Sequence, residues 1–170
     1  MTKYLASNNV WVRFLSLLTL TVFIFLVCWV VGYYLFPEGI LRGKFAGAAL
    51  AGDTAAGTFI AEFARIAAIN LIMLIPILAG NRIFKYKSIP LGYVIPLLWA
   101  GIYAMVIGTN STSIPMAERL APAIMVLTRS GLYEISAYVL VAAATFGISA
   151  PFASFDFSHR NLKRSPRLPV

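Results

Sequence analysis

FLSLLTLTVFIFLVCWVVGYYLF, residues 14 to 36, runs for 23 residues without a charge. At 1.5 Å rise per residue a helix of that length reaches about 35 Å, enough to cross a hydrocarbon core of ~30 Å. Inside that core the backbone finds no water, so a single run crosses only as a helix, with its hydrogen bonds made internally. Arg13 precedes the run, and Trp29, Tyr33 and Tyr34 stand near its far end, where an interfacial aromatic belt belongs. A secretory signal carries a shorter apolar region, about 7–15 residues, closed by a small-residue cleavage site. Here the run is longer and the candidate Ala49-Leu50-Ala51 lies well downstream, so the segment reads as an uncleaved anchor.

The remaining residues carry the same signature. Hydrophobic residues make up 60% of the 170 and charged residues only 12%, against about 25% in an average soluble domain. With a mean hydropathy of +0.83, the chain reads as an all-α, polytopic membrane helical bundle of about four transmembrane helices plus interfacial or re-entrant segments. One compact domain fills this length. The net charge of +8 does not point to nucleic acid, because Lys and Arg fall between and after the apolar runs. Anionic headgroups and the insertion machinery explain that placement. Cys28 is the only cysteine and His159 the only histidine, so neither an intramolecular disulfide nor a Cys- or His-rich metal site is expected. No cofactor is predicted; a lipid or pigment supplied by a host complex is the one ligand class left open.

Downstream, residues 37–57 open with Pro37 and Gly39, which stop the helix, and continue Gly/Ala-rich, as an interfacial or re-entrant segment would. A second span runs from about Phe59 to Gly80, with Pro76 near its end, and a third from about Ile89 to Gly108. In the third, Ala100, Ala104 and Gly108 recur every four residues, a stripe that lets another helix approach closely. Residues 114–128 read as an interfacial amphipathic helix, and the fourth span as about Gly131 to Pro151. Asn110-Ser111-Thr112 fits the glycosylation sequon, a short and common pattern.

Polar groups inside spans normally face the bundle interior and are paired, or else line a path for ions or substrate. The set here is Glu62, Arg65, Asn70 and Glu134. Glu62 and Arg65 share a helix face. On the fourth span Ser130, Ala137, Val141 and Ala144 form a mostly small face that would pack on a neighbour and shelter Glu134, with Arg65 as the candidate counter-charge. Asn70 reads as an interhelical hydrogen-bonding group.

Orientation follows from the basic residues. With four spans and the N-terminus inside, the inner side holds Lys3, Arg13, Arg82, Lys85, Lys87, Arg160, Lys163, Arg164 and Arg167, nine in all. Outside lie Arg42, Lys44, Arg119 and Arg129, four in all. This imbalance predicts a cytoplasmic segment at 1–13, a membrane domain at 14–151 and a basic cytoplasmic tail at 152–170, and the expected location is the cell's inner (plasma) membrane. Arg82, Lys85, Lys87, Arg160, Lys163 and Arg164 are then the expected contacts to lipid headgroups.

Gly131-Leu132-Tyr133-Glu134-Ile135-Ser136-Ala137, with the small-residue run to Gly147, resembles the last block of the stage II sporulation protein M family. That block reads Pro-His-Gly, a Glu three residues on, an Ala three beyond it, then an apolar Gly/Ala run. The Asn70 span with the Leu91–Gly108 helix looks like the family's middle region, and Phe36-Pro37-Glu38-Gly39 resembles the end of its opening span. Arg129-Ser130 stands where the family has Pro-His, so no role of that histidine transfers. The resemblance implies a polytopic scaffold without its own chemistry, and the sporulation role is not carried over.

With no nucleophile, base or phosphate-binding pattern in a supporting context, no enzyme is expected. The sequence reads as a membrane scaffold or accessory subunit that packs against other membrane helices, its own copies included. The alternative is a small oligomeric transporter or channel using Glu134, Glu62 and Asn70.

Overall fold

The computed structural model describes residues 2–44, 58–86, 89–112, 116–119, 121, 131–148 and 155–156. A short helix α1, Thr2–Leu5, leads into α2, Val10–Leu35, and α3 follows at Phe59–Ile83. A 3-10 turn at Leu91–Tyr93 opens α4, Val94–Gly108, and α5, Gly131–Ala144, closes in a second 3-10 turn at Thr145–Gly147. By length and composition α2, α3 and the stretch Leu91–Gly108 suffice to cross a membrane, whereas the apolar helix around α5 is shorter.

Helix α2 starts four residues before the uncharged run. Asn9 is the reason: its side-chain oxygen accepts from the N–H of Trp11 at 2.8 Å and of Val12 at 3.4 Å, satisfying donors that a helix start leaves open. Arg13, expected as a flanking charge, is therefore inside α2 and only 5% exposed. The stripe Arg13, Leu17, Thr21, Phe25 is buried at four-residue spacing, with Gly32 two turns further on.

That stripe meets α4 and α5. Ala100 and Ala104 are fully buried and Gly108 with them, along the stripe expected from their spacing. On α5, however, Ala137 and Ala144, expected on the packing face, are exposed, and Val139, Ala142 and Ala143 are buried instead. In an apolar helix, residue size does not tell a neighbour-facing position from a lipid-facing one; the i, i+3, i+4 set closest to α2 is the one covered.

Helix α3 stands at the margin. Phe59, Ile60, Phe63, Leu71, Ile72 and Ile75 are exposed along it, and only near its end do Ile77 and Asn81 become fully buried. The helix continues through Pro76 to Ile83. Its last turn crosses the 3-10 turn backbone on backbone: a Cβ on Gly80 would lie 2.6 Å from the Gly92 nitrogen, and one on Gly92 would collide with Asn81 Oδ1 and the Ile77 carbonyl.

The segment after α3 forms a small sheet. Strand β1, Phe84–Tyr86, pairs antiparallel with β2, Ile89–Pro90, and parallel with β3, Phe155–Asp156. Central position gives β1 partners on both edges, which a short strand needs to persist. The re-entrant segment beyond Lys44, most of the helix expected at 114–128, and the tail apart from β3 lie outside the described residues. Within 116–119 the chain bends and is not helical.

Candidate functional site

Polar side chains gather in three places. The first is the C-terminal end of α5, where the last carbonyls of a helix have no intrahelical donor. Thr145 Oγ1 donates to the Val141 carbonyl at 2.7 Å. Asn81 Nδ2 donates to the Ala142 carbonyl at 2.8 Å and to Thr145 Oγ1 at 2.6 Å. Arg13 Nε donates to the Ala143 carbonyl at 3.0 Å, and its Nη1 to the Ser7 carbonyl at 2.5 Å. Three consecutive carbonyls are thus capped from α2, α3 and the closing turn. Arg13 also lies over the Phe146 ring, 4.8 Å from its centroid, and its charge complements the negative end of the α5 dipole. Tyr93 donates to the Leu5 carbonyl at 3.3 Å, drawing α1 to the same end.

The second place is the α3–α5 contact. Tyr138 donates to Asn70 Oδ1 at 2.8 Å and sits edge-on to Trp99 at 5.1 Å. Since Asn70 meets Tyr138 and Asn81 meets Ala142, the two helices run in the same direction. Glu134 lies one turn before Tyr138 and Arg65 five residues before Asn70, both half-buried and both engaged in polar or electrostatic interactions. The side chain of Glu62 is outside the described residues. Replacing Tyr138 by phenylalanine is expected to lower stability by about 1 kcal/mol, the loss of one interhelical hydrogen bond. Unfolding of the two proteins in mixed micelles, followed by circular dichroism, measures it.

The third place joins the C-terminal ends of α2 and α4. Asn110 takes a left-handed backbone, φ 48°, which asparagine tolerates in a tight turn. Its Nδ2 bonds Glu38 Oε1 and the Met116 carbonyl, and its Oδ1 accepts from the Met116 N–H at 3.0 Å. Gly39 N–H donates to the Thr109 carbonyl at 2.7 Å, Leu41 N–H to Ser111 Oγ at 3.1 Å, and Arg42 to the Asn110 carbonyl at 3.1 Å. Arg119 donates to the carbonyls of Tyr33 and Phe36 and lies 4.0 Å from Glu38. With Asn110 2% exposed and its amide fully used, the sequon offers no free acceptor nitrogen for a glycan.

Of the residues singled out from sequence, Asn70 joins Tyr138, Ala100, Ala104 and Gly108 line the α2–α4 crossing, and Arg65 and Glu134 fall at similar depth on adjoining helices. Arg82 is exposed at the end of α3, while Lys85 lies 5.3 Å above the Phe146 ring. Lys87, Arg160, Lys163 and Arg164 are outside the described residues. Asn81, Tyr93 and Thr145 did not stand out in sequence, while Arg13 was read only as a flanking charge and Asn110 only as part of a sequon. Asn9 directly before an apolar run is a capping signal that would have moved the helix start and drawn Arg13 inside. Among the described residues no three His, Cys, Asp or Glu side chains converge as a metal site would require.

These contacts and spans define a class, a helical membrane protein whose described polar groups fasten segments to one another. Compared with protein-family models, curated proteins and solved structures, the chain gives no significant match to any.

Proposed function

We propose that this protein is an integral membrane scaffold or accessory subunit of a larger membrane complex, with four crossings and both termini on the cytoplasmic side. One observation carries the reading: Asn70 and Asn81 on α3 both bond α5, and Asn110 bonds Glu38 beyond the end of α2, each through its side-chain amide. Side-chain amides used this way hold helices together, whereas a conduction path needs polar groups turned toward an open lumen. Four crossings are supported by the clustering of Leu5, the β1–β2 hairpin, Phe146 and β3 at one end, where an even number of crossings returns the chain. The resemblance of residues 131–147 to the sporulation protein M block accords with a scaffold, and kinship with that family is part of the proposal.

Exposed large residues along α3 give such a subunit its contact face. Solubilisation of native membranes in a mild detergent, followed by native gel electrophoresis, is expected to show the chain migrating with other membrane proteins. A chain that always runs alone would remove the reading. Cation or proton flux in liposomes that Glu134→Gln abolishes would favour the transporter instead.

A further inference from the structure

Between α3 and the chain leaving α5 lies a groove of about 350 Å³, lined by Ile75, Leu78, Ala79, Arg82 and Ile148. The four α3 residues stand at i, i+3, i+4 and i+7, one face of the helix covering about 10 Å along its axis. Three of them are apolar, and the cation comes last, in the terminal turn of a helix long enough to span a membrane. We propose that this groove binds one anionic glycerophospholipid, an acyl chain lying along Ile75, Leu78, Ala79 and Ile148 and the headgroup phosphate on Arg82.

Two features favour this occupant. Of the described cations around Phe146, Arg13 is held by carbonyls and by that ring and Lys85 lies 5.3 Å over the same ring, whereas Arg82 lines the groove. Arg82 is exposed and makes no hydrogen bond or ion pair among the described residues, so its guanidinium is open to a phosphate, which it can bind through two parallel N–H donors. The rest of the lining is apolar, which a soluble phosphate would not use and an acyl chain would. Depth agrees as well, since a long basic side chain at the end of a span reaches the headgroup layer. The proposal rests on the membrane placement of α3 and is independent of whether the chain serves as a scaffold.

Native mass spectrometry of the full chain, released from nanodiscs of equal phosphatidylglycerol and phosphatidylcholine, tests it. One phosphatidylglycerol per chain is expected to survive release, favoured over phosphatidylcholine by about fivefold. Arg82→Gln is expected to erase that preference, and Ala79→Phe to fill the groove and remove the adduct, both with helix content and melting like the parent. Lys85→Gln should keep the adduct. Equal retention of the two lipids, retention unchanged in Arg82→Gln, or loss confined to Lys85→Gln would each overturn the proposal. Should Ala79→Phe fail to fold, the Arg82→Gln comparison decides alone.

Discussion

Replacing Gly108 by leucine is expected to cost about 3 kcal/mol or more, through overpacking of the α2–α4 crossing. A Cβ at this position would lie 2.6 Å from the Trp29 carbonyl oxygen and 3.1 Å from the Tyr33 nitrogen. Both are backbone atoms of α2, and no side-chain rotation moves them. Gly32 faces the same crossing, where an added Cβ would lie 3.2 Å from the Met105 oxygen and 3.5 Å from the Gly108 Cα. The only relief is to push the helices apart, which would also unpack Ala100 and Ala104, both now fully buried. In lipid that separation costs dispersion contacts that no hydrophobic transfer replaces, because the surrounding acyl chains are as apolar as the interface. Gly108→Ala should fall between the parent and Gly108→Leu. Gly147→Ala is the control, since nothing lies within 4 Å of its added methyl. Unfolding by graded SDS, followed by circular dichroism, ranks the four proteins; Gly108→Leu unfolding at the parent midpoint would show that the crossing yields without strain.

Length and polarity made the long helices readable. An uncharged run such as Phe14–Phe36 has few structural options in a bilayer, and α2, α3 and Leu91–Gly108 occupy the runs that pointed to them. The four-residue stripe on α4 was readable too, because close approach requires small residues whichever helix arrives. What the sequence withheld is which face of an apolar helix looks inward. On α5 the small residues Ala137 and Ala144 are exposed while Val139 is fully buried, and every candidate face there is apolar. The capping groups were hidden for another reason. Asn81 follows Gly80 at the end of an apolar run, where it resembles a loop residue. Its role is set by the α5 carbonyls, 61 residues away in the chain. Long-range caps leave no local pattern.

Arg13 brings these two lessons together, and its substitution separates them. If the residue acted only as a positive charge orienting α2, Arg13→Lys would be silent, since either cation satisfies the positive-inside bias. The geometry demands more. One guanidinium donates to the Ala143 and Ser7 carbonyls, on segments 130 and 6 residues away, while its plane covers Phe146. A lysine ammonium is a compact point charge without the planar fork, so it cannot hold both carbonyls and the ring together. At 5% exposure, water would not easily replace whichever bond is lost. Arg13→Lys is therefore expected to keep the orientation reported by C-terminal reporter fusions, yet to lose about 1–2 kcal/mol of stability. Arg13→Ala should lose about 3 kcal/mol or more, because it leaves both carbonyls short of a donor and empties the space beside Phe146. Equal unfolding midpoints for the parent and Arg13→Lys would reduce Arg13 to a topology signal. The expected split, with orientation retained and stability lost, would establish it as the residue that fastens the start of α2 to the end of α5.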